Sequence, residues 1–193
     1  MKKVILMGLI LFLFLGISFS QSVKEILIYD GESENTNLSA LGYWVAPEGC
    51  KVEEVEGVAY SGKKCLKINF VWNSWWAGMG INFAKWNFNA KDKILDLSNY
   101  KALEFYIRAE KAGDYNLLVT IVEAPAQKDG KEFYSEKYTI TGGVPTQWTK
   151  ISVPLKSFVT VDKKRIWGMS IEVTGVPEGN TTLYVDEVKF VKD

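Results

Sequence analysis

Residues 72–88 read WNSWWAGMGINFAKWNF and hold four of the chain's seven tryptophans. Side chains of an extended strand alternate between its two faces, so Trp75, Ala77, Met79, Ile81 and Phe83 share one side, and Trp76, Gly78, Gly80 and Asn82 share the other. The first set is apolar throughout and predicts a buried face. The second predicts an indole beside bare backbone, since two glycines leave a flat floor, with an amide at Asn82 that both donates and accepts. An aromatic wall beside a flat, partly polar floor suits a planar, hydroxyl-bearing ligand such as a sugar ring. Read singly, each tryptophan is equally well a packing residue of a β-sandwich; clustered, they favour a ligand face.

Outward from this stretch the pattern repeats. Short alternating or apolar runs predict strands over residues 26–30, 52–55, 65–70, 75–83, 102–108, 115–123, 133–140, 148–154, 167–173 and 182–191. Turn formers separate them: Ser61-Gly62, residues 111–114 (KAGD), Lys128-Asp129-Gly130, Thr141-Gly142-Gly143 and residues 177–180 (PEGN). No segment keeps a helical period for three turns. About ten strands at this spacing predict an all-β chain folded as an antiparallel β-sandwich of the jelly-roll kind. In residues 103–108 the alternation sends Leu103, Phe105 and Ile107 inward and Glu104, Tyr106 and Arg108 outward, and in residues 169–173 it sends Ser170 and Glu172 outward. Trp76, Asn82, Tyr106, Arg108 and Glu172 are therefore expected on one outward face as carbohydrate-binding residues. The competing account of Tyr106 and Arg108 is an ordinary cross-strand pair.

Composition removes several chemistries. The chain has 193 residues and no histidine, which excludes Ser-His-Asp and Cys-His catalysis, His-ligated zinc and the His-containing iron triad. Its basic and acidic residues balance at 23 each, with no basic tract of the kind nucleic-acid binding needs. Residues 1–20 read as a secretory signal peptide, with Lys2 and Lys3 ahead of an apolar run and small residues at Ser18 and Ser20, so cleavage is expected before Gln21. Residues 21–193 read as a single domain, and its export to an oxidising space makes a Cys50–Cys65 bridge one option and two separate buried thiols the other.

The ordered series LIYDGES, AYSGKKCLKINF, WWAGMGINF, LDLSNYKALEFYIRA, PTQWTKISVPLKSF, IWGMSIEV and TTLYVDEVKF resembles carbohydrate-binding modules with the galactose-binding-domain-like β-sandwich, of the family-eleven type. The resemblance implies a secreted, non-catalytic module that binds a polysaccharide such as a β-glucan or a related plant-type glycan, as a monomer without nucleic-acid or membrane partners. It also implies a structural calcium held by Asp30, Glu32 and Asp186, consistent with the preference of Ca2+ for hard oxygen ligands. Trp148 is similar in place to a structural tryptophan of such modules.

Two other functions suit the same composition. A small jelly-roll glycoside hydrolase needs two carboxyl groups about 5–9.5 Å apart across a cleft, and Glu104, Glu123 and Glu172 are the strand carboxylates that could meet. A cell-surface protein-interaction domain would use the same aromatic and arginine-bearing face, because Trp, Tyr and Arg also dominate protein hot spots.

Overall fold

A computed structural model describes residues 24–127, 130–175 and 178–192; the expected signal peptide lies outside the described residues. In chain order the strands are β1 (Glu25–Tyr29), β2 (Gly42–Ala46), β3 (Lys51–Glu56), β4 (Lys64–Trp72), β5 (Trp76–Asn82), β6 (Ala102–Ala109), β7 (Asn116–Glu123), β8 (Phe133–Tyr134), β9 (Tyr138–Ile140), β10 (Thr149–Pro154), β11 (Ile166–Thr174) and β12 (Gly179–Val191). They form two antiparallel sheets. Sheet A has the order β10-β6-β12-β4-β3, with β1 paired to the last residues of β12, and sheet B has the order β2-β5-β11-β7-β8, with β9 also paired to β7.

The inward faces of β6, of β11 and of β5 from Ala77 onward are those the alternation predicted. Leu103, Phe105 and Ile107 of β6, Leu66, Ile68 and Phe70 of β4, and Leu183 and Val185 of β12 meet Ala77, Met79 and Ile81 of β5, Ile171 and Val173 of β11, and Leu117, Val119 and Ile121 of β7 in one core. Phe83 and Phe190 close it edge to face, with centroids 6.1 Å apart. Each buried Leu, Ile, Val, Met or Phe contributes about 1.5–3 kcal/mol by leaving water, which is the chief stabilisation of the sandwich.

Three local departures have physical causes. Trp75, expected inward, lies outside β5 with φ +67° and is 56% exposed, because the chain turns between β4 and β5 and strand alternation begins only at Trp76. Residues 42–46, GYWVA, form the edge strand β2 although no strand was expected there; the run is five residues long and starts on glycine. The expected strand at 133–140 divides into β8 and β9 around Ser135, whose Oγ accepts from Ile121 N and donates to the Glu136 carbonyl, replacing regular ladder bonds.

The cysteines are separate. Val55 pairs with Cys65, and Lys51, next to Cys50, pairs with Asn69, so the two thiols lie at opposite ends of the β3–β4 ladder. Five residues of strand span roughly 17 Å, far beyond the roughly 4–7 Å Cα separation of a disulfide. Cys50 Sγ instead caps Val71, accepting from its N–H and donating to its carbonyl, both at 3.3 Å. Cys65 is fully buried, and burial pushes its thiol up to about 12. A thiol alkylating reagent is therefore expected to modify neither cysteine in the folded protein and both in denaturant without reductant; a single labelled thiol in the native state, or a mass change on reduction, contradicts the structure.

Candidate functional site

The outward face of sheet B is built on glycine. Gly42, Gly78 and Gly80 project toward this face, and each has an indole lying on it. A Cβ on Gly80 would sit 2.2 Å from Trp44 Nε1; on Gly78, 2.7 Å from Trp76 Cζ2 and 3.2 Å from Trp44 Cη2; and on Gly42, 2.4 Å from Trp86 Cζ3. Trp44 is on β2 across from Gly80, so its ring crosses its neighbour strand, and Trp76 stacks beside it with centroids 6.3 Å apart and planes 26° from parallel. Any side chain under these rings would lift them off the sheet.

Two polar residues fix the indoles. Glu172, 5% exposed on the central strand β11, accepts from Trp76 Nε1 and Lys137 Nζ through Oε2, both at 2.6 Å, and from Ser170 Oγ through Oε1 at 3.1 Å. Ser170 in turn bonds Thr120 across the β11–β7 ladder. A buried carboxylate is tolerable only when paired and hydrogen-bonded in this way. Asn82 is buried, and its Oδ1 accepts from the N–H groups of Ala84 and Trp86 at 3.0 and 2.8 Å. This holds the turn after β5, in which Lys85 and Trp86 have φ +50° and +55°. Asn82 thus acts by placing Trp86. Across the face, Tyr134 of β8 is 41% exposed, its hydroxyl raised in pKa first by burial and then by Glu132, against a hydrogen-bonding contribution from Trp44.

Of the five expected carbohydrate residues, Trp76, Asn82 and Glu172 meet here. Tyr106 and Arg108 do not: β6 belongs to sheet A, and they project from the opposite side of the sandwich. Alternation gives a side chain's parity but not which of two sheets its strand joins, and that is where the expectation failed. Trp44, Trp86, Tyr134 and Lys137 were missed. The sequence signal for Trp44 was its place in a short alternating run, YWV, beside the glycine. The three strand carboxylates do not converge: Glu104 pairs with Lys150 on sheet A, and Glu123 bonds Arg165 at the end of β7, five residues beyond Leu118, the partner of Glu172. That is roughly 17 Å along a strand, outside the span of a glycosidase pair.

The residues expected to hold calcium all take part in hydrogen bonds. Asp30 Oδ1 accepts from Glu32 N and Thr36 Oγ1; Glu32 Oε1 accepts from Lys63 N and Lys64 N at 2.6 and 2.9 Å; Asp186 accepts from Tyr60 N and Ser61 N through Oδ2 and from Glu187 N through Oδ1. These oxygens accept from N–H groups and, at Asp30, also from the Thr36 hydroxyl, and among the described residues no three His, Cys, Asp or Glu side chains gather as a metal site. Glu32 and Asp186 hold the loop at residues 57–63 on sheet A, and Asp30 orders the turn that follows β1.

Residues 27–192 match the family described as Carbohydrate binding domain 30. The chain belongs to this carbohydrate-binding family. It is similar in fold to the family 11 carbohydrate-binding module from Clostridium thermocellum in complex with a β-1,3-1,4-mixed-linked tetrasaccharide, with 18% identity, TM-score 0.64, and 89% of this chain and 97% of that one covered. It is likewise similar to the family 30 module of a cellulosomal cellulase of the same organism, at 16% identity and TM-score 0.63 over 88% and 98% of the two chains. A xylan-binding domain from Paenibacillus barcinonensis is more distant, at 15% identity and TM-score 0.53 over 88% and 97%. No curated protein sequence matches the chain. Among the described residues, no helix is long and apolar enough to cross a membrane.

The anchoring of Trp76 by Glu172 can be tested in this family member. Glu172→Gln keeps the shape but removes the charge that holds Trp76, so glycan affinity is expected to fall while stability changes little. Lys137→Ala leaves a buried carboxylate short of its cation and should cost more stability, on the order of 1–2 kcal/mol, measured by urea unfolding; the reverse order contradicts the anchoring role of Glu172.

The loop on sheet A carries a pH dependence. The Lys63 and Lys64 N–H groups hold the Glu32 carboxyl below its ordinary 4.5, against a smaller opposing effect of burial. A folded value below the unfolded one means that the stabilisation is complete above about 4.5 and lost as pH falls through the lowered value. The melting-temperature gap between the native chain and Glu32→Gln should therefore be open at pH 7 and close in acid, while exhaustive chelation at pH 7 leaves the melting temperature unchanged. A chelator-dependent drop would overturn the hydrogen-bonded account of this loop.

Proposed function

We propose that this chain is a secreted, non-catalytic module that binds a β-glucan or a related plant-type glycan on the outer face of sheet B, with Trp44, Trp76 and Trp86 as stacking surfaces. The observation that carries the proposal is the glycine floor: three indoles lie over Gly80, Gly78 and Gly42, where any Cβ would displace them. Pyranose rings have apolar faces that stack on aromatic rings, and the polar groups beside them read hydroxyls. Here Lys137 and Tyr134 supply those groups, and Glu172 holds Trp76 in place. The mixed-linked tetrasaccharide bound by the family 11 module of similar fold supports the choice of a β-linked glucan, and the signal-peptide pattern of residues 1–20 supports secretion.

Affinity electrophoresis against mixed-linkage β-glucan, xyloglucan, galactomannan and xylan tests the reading. Retardation is expected with at least the β-glucan. Trp44→Ala and Trp76→Ala should each cost roughly the 1–3 kcal/mol that a stacking aromatic contributes under a planar ligand, with the fold retained because both rings lie outside the core. Gly80→Val should reproduce much of the Trp44→Ala loss by lifting the indole from the sheet. Migration unaffected by all four polysaccharides would overturn the proposal.

A further inference from the structure

The outer face of sheet A carries a second aromatic cluster that the glucan face does not use. Tyr60, 45% exposed on the loop at residues 57–63, stacks on Tyr106 of β6 with centroids 3.5 Å apart and planes 11° from parallel. Trp148 stands edge-on to Tyr60 at 6.0 Å. The same Trp148 ring lies 5.6 Å from the Arg108 guanidinium, which sits 4.2 Å over the ring of Tyr184 on β12. One indole thus contacts both the Tyr60 ring and the guanidinium. The loop that carries Tyr60 is fixed in turn, because its N–H groups at Tyr60 and Ser61 bond Asp186 and those at Lys63 and Lys64 bond Glu32.

Arg108 differs from the chain's other arginine in what it lacks. The other arginine of the chain, Arg165, faces Glu123 at 3.6 Å and donates to the Ala124 and Pro125 carbonyls. On sheet A, Lys67 pairs with Glu53, Lys150 with Glu104, and Lys189 with Glu25 and Glu187. Asp186 lies under the loop with N–H donors on both of its oxygens. Arg108 alone among these cations has no hydrogen-bond or ion-pair partner among the described residues, although two aromatic rings hold its plane. A guanidinium fixed in this way presents a rigid fork that matches a carboxylate bidentately, and the free face of Tyr60 beside it is a stacking surface for a ring.

We propose that the outer face of sheet A is a second glycan site, selective for a sugar that bears a carboxylate, with Arg108 receiving the carboxylate of a uronic acid residue and Tyr60 stacking on a neighbouring ring. The neutral glucan face and the acidic-sugar face then lie on opposite sides of the sandwich and are occupied independently.

Calorimetric titration with oligogalacturonate and with a glucuronate-bearing xylo-oligosaccharide, each beside its neutral counterpart, tests this in the intact protein. At least one acidic oligosaccharide should bind, its affinity should fall as salt is raised, and its neutral counterpart should not bind once Trp44→Ala and Trp76→Ala have removed the glucan face. Arg108→Gln should weaken acidic binding at least tenfold and leave β-glucan binding unchanged, with Arg108→Lys in between. As a readout that does not depend on how the variants fold, the acidic ligand should shift the Arg108 Nε–H and Trp148 indole resonances of the native protein and leave those of Trp44 and Trp76 in place. Failure of both acidic ligands to bind, binding that survives Arg108→Gln, or shifts confined to Trp44 and Trp76 would each overturn the second site. Because β-glucan binding is read separately, that failure is distinct from failure of the glucan face.

Discussion

The outer face of sheet B depends on the buried carboxylate of Glu172. A charge at 5% exposure on the central strand β11 is costly unless its oxygens are occupied, and here Trp76, Lys137 and Ser170 occupy them. The requirement acts in both directions. Satisfying the carboxylate fixes the Trp76 ring over Gly78, draws Lys137 in from the segment between β8 and β9, and extends through Ser170 to Thr120 on β7. One electrostatic constraint therefore ties four elements into a single preorganised surface.

The two sheets solve the problem of their outer faces differently. Sheet B uses absence: glycine at positions 42, 78 and 80 lets indoles from adjoining positions lie flat. Sheet A uses partners: Lys150–Glu104 and Lys67–Glu53 span neighbouring strands, and the stack of Tyr60, Tyr106, Trp148, Arg108 and Tyr184 covers the strands between. Exposed ion pairs contribute little to stability; their effect here is to cancel the charges around a guanidinium that keeps its own. The stack is held in place by the loop at residues 57–63, which rests on carboxylates. Asp186 sits at the bulge of β12, where Glu187 takes φ +52° and the register with β6 shifts. The bulge turns Asp186 beneath the loop, fully buried, and with Glu32 it anchors the loop through backbone N–H groups.

The sequence by itself determined the all-β class, most strand positions, and which side chains of a strand share a side, because hydrophobic burial on one face forces a period of two and any one-residue slip would expose the core. It also determined that Trp76 and Asn82 point away from that core with Gly78 and Gly80 beside them, and that histidine chemistry plays no part. Which sheet each strand joins was decided only by tertiary structure. Parity is local to a strand, whereas the pairing of β5 with β11 and of β6 with β12 is a long-range choice, so Tyr106 and Arg108 shared an orientation with Trp76 in sequence and lie on the opposite side of the molecule. The same holds for the cysteines, whose 15-residue separation in sequence said nothing of their positions at opposite ends of one ladder, and for Glu32 and Asp186, whose oxygens meet N–H donors supplied largely by chain segments distant in sequence. Trp44 and Trp86 joined Trp76 on one face only when β2 paired with β5 and the turn after Asn82 folded back, because an aromatic surface is made of neighbours in space.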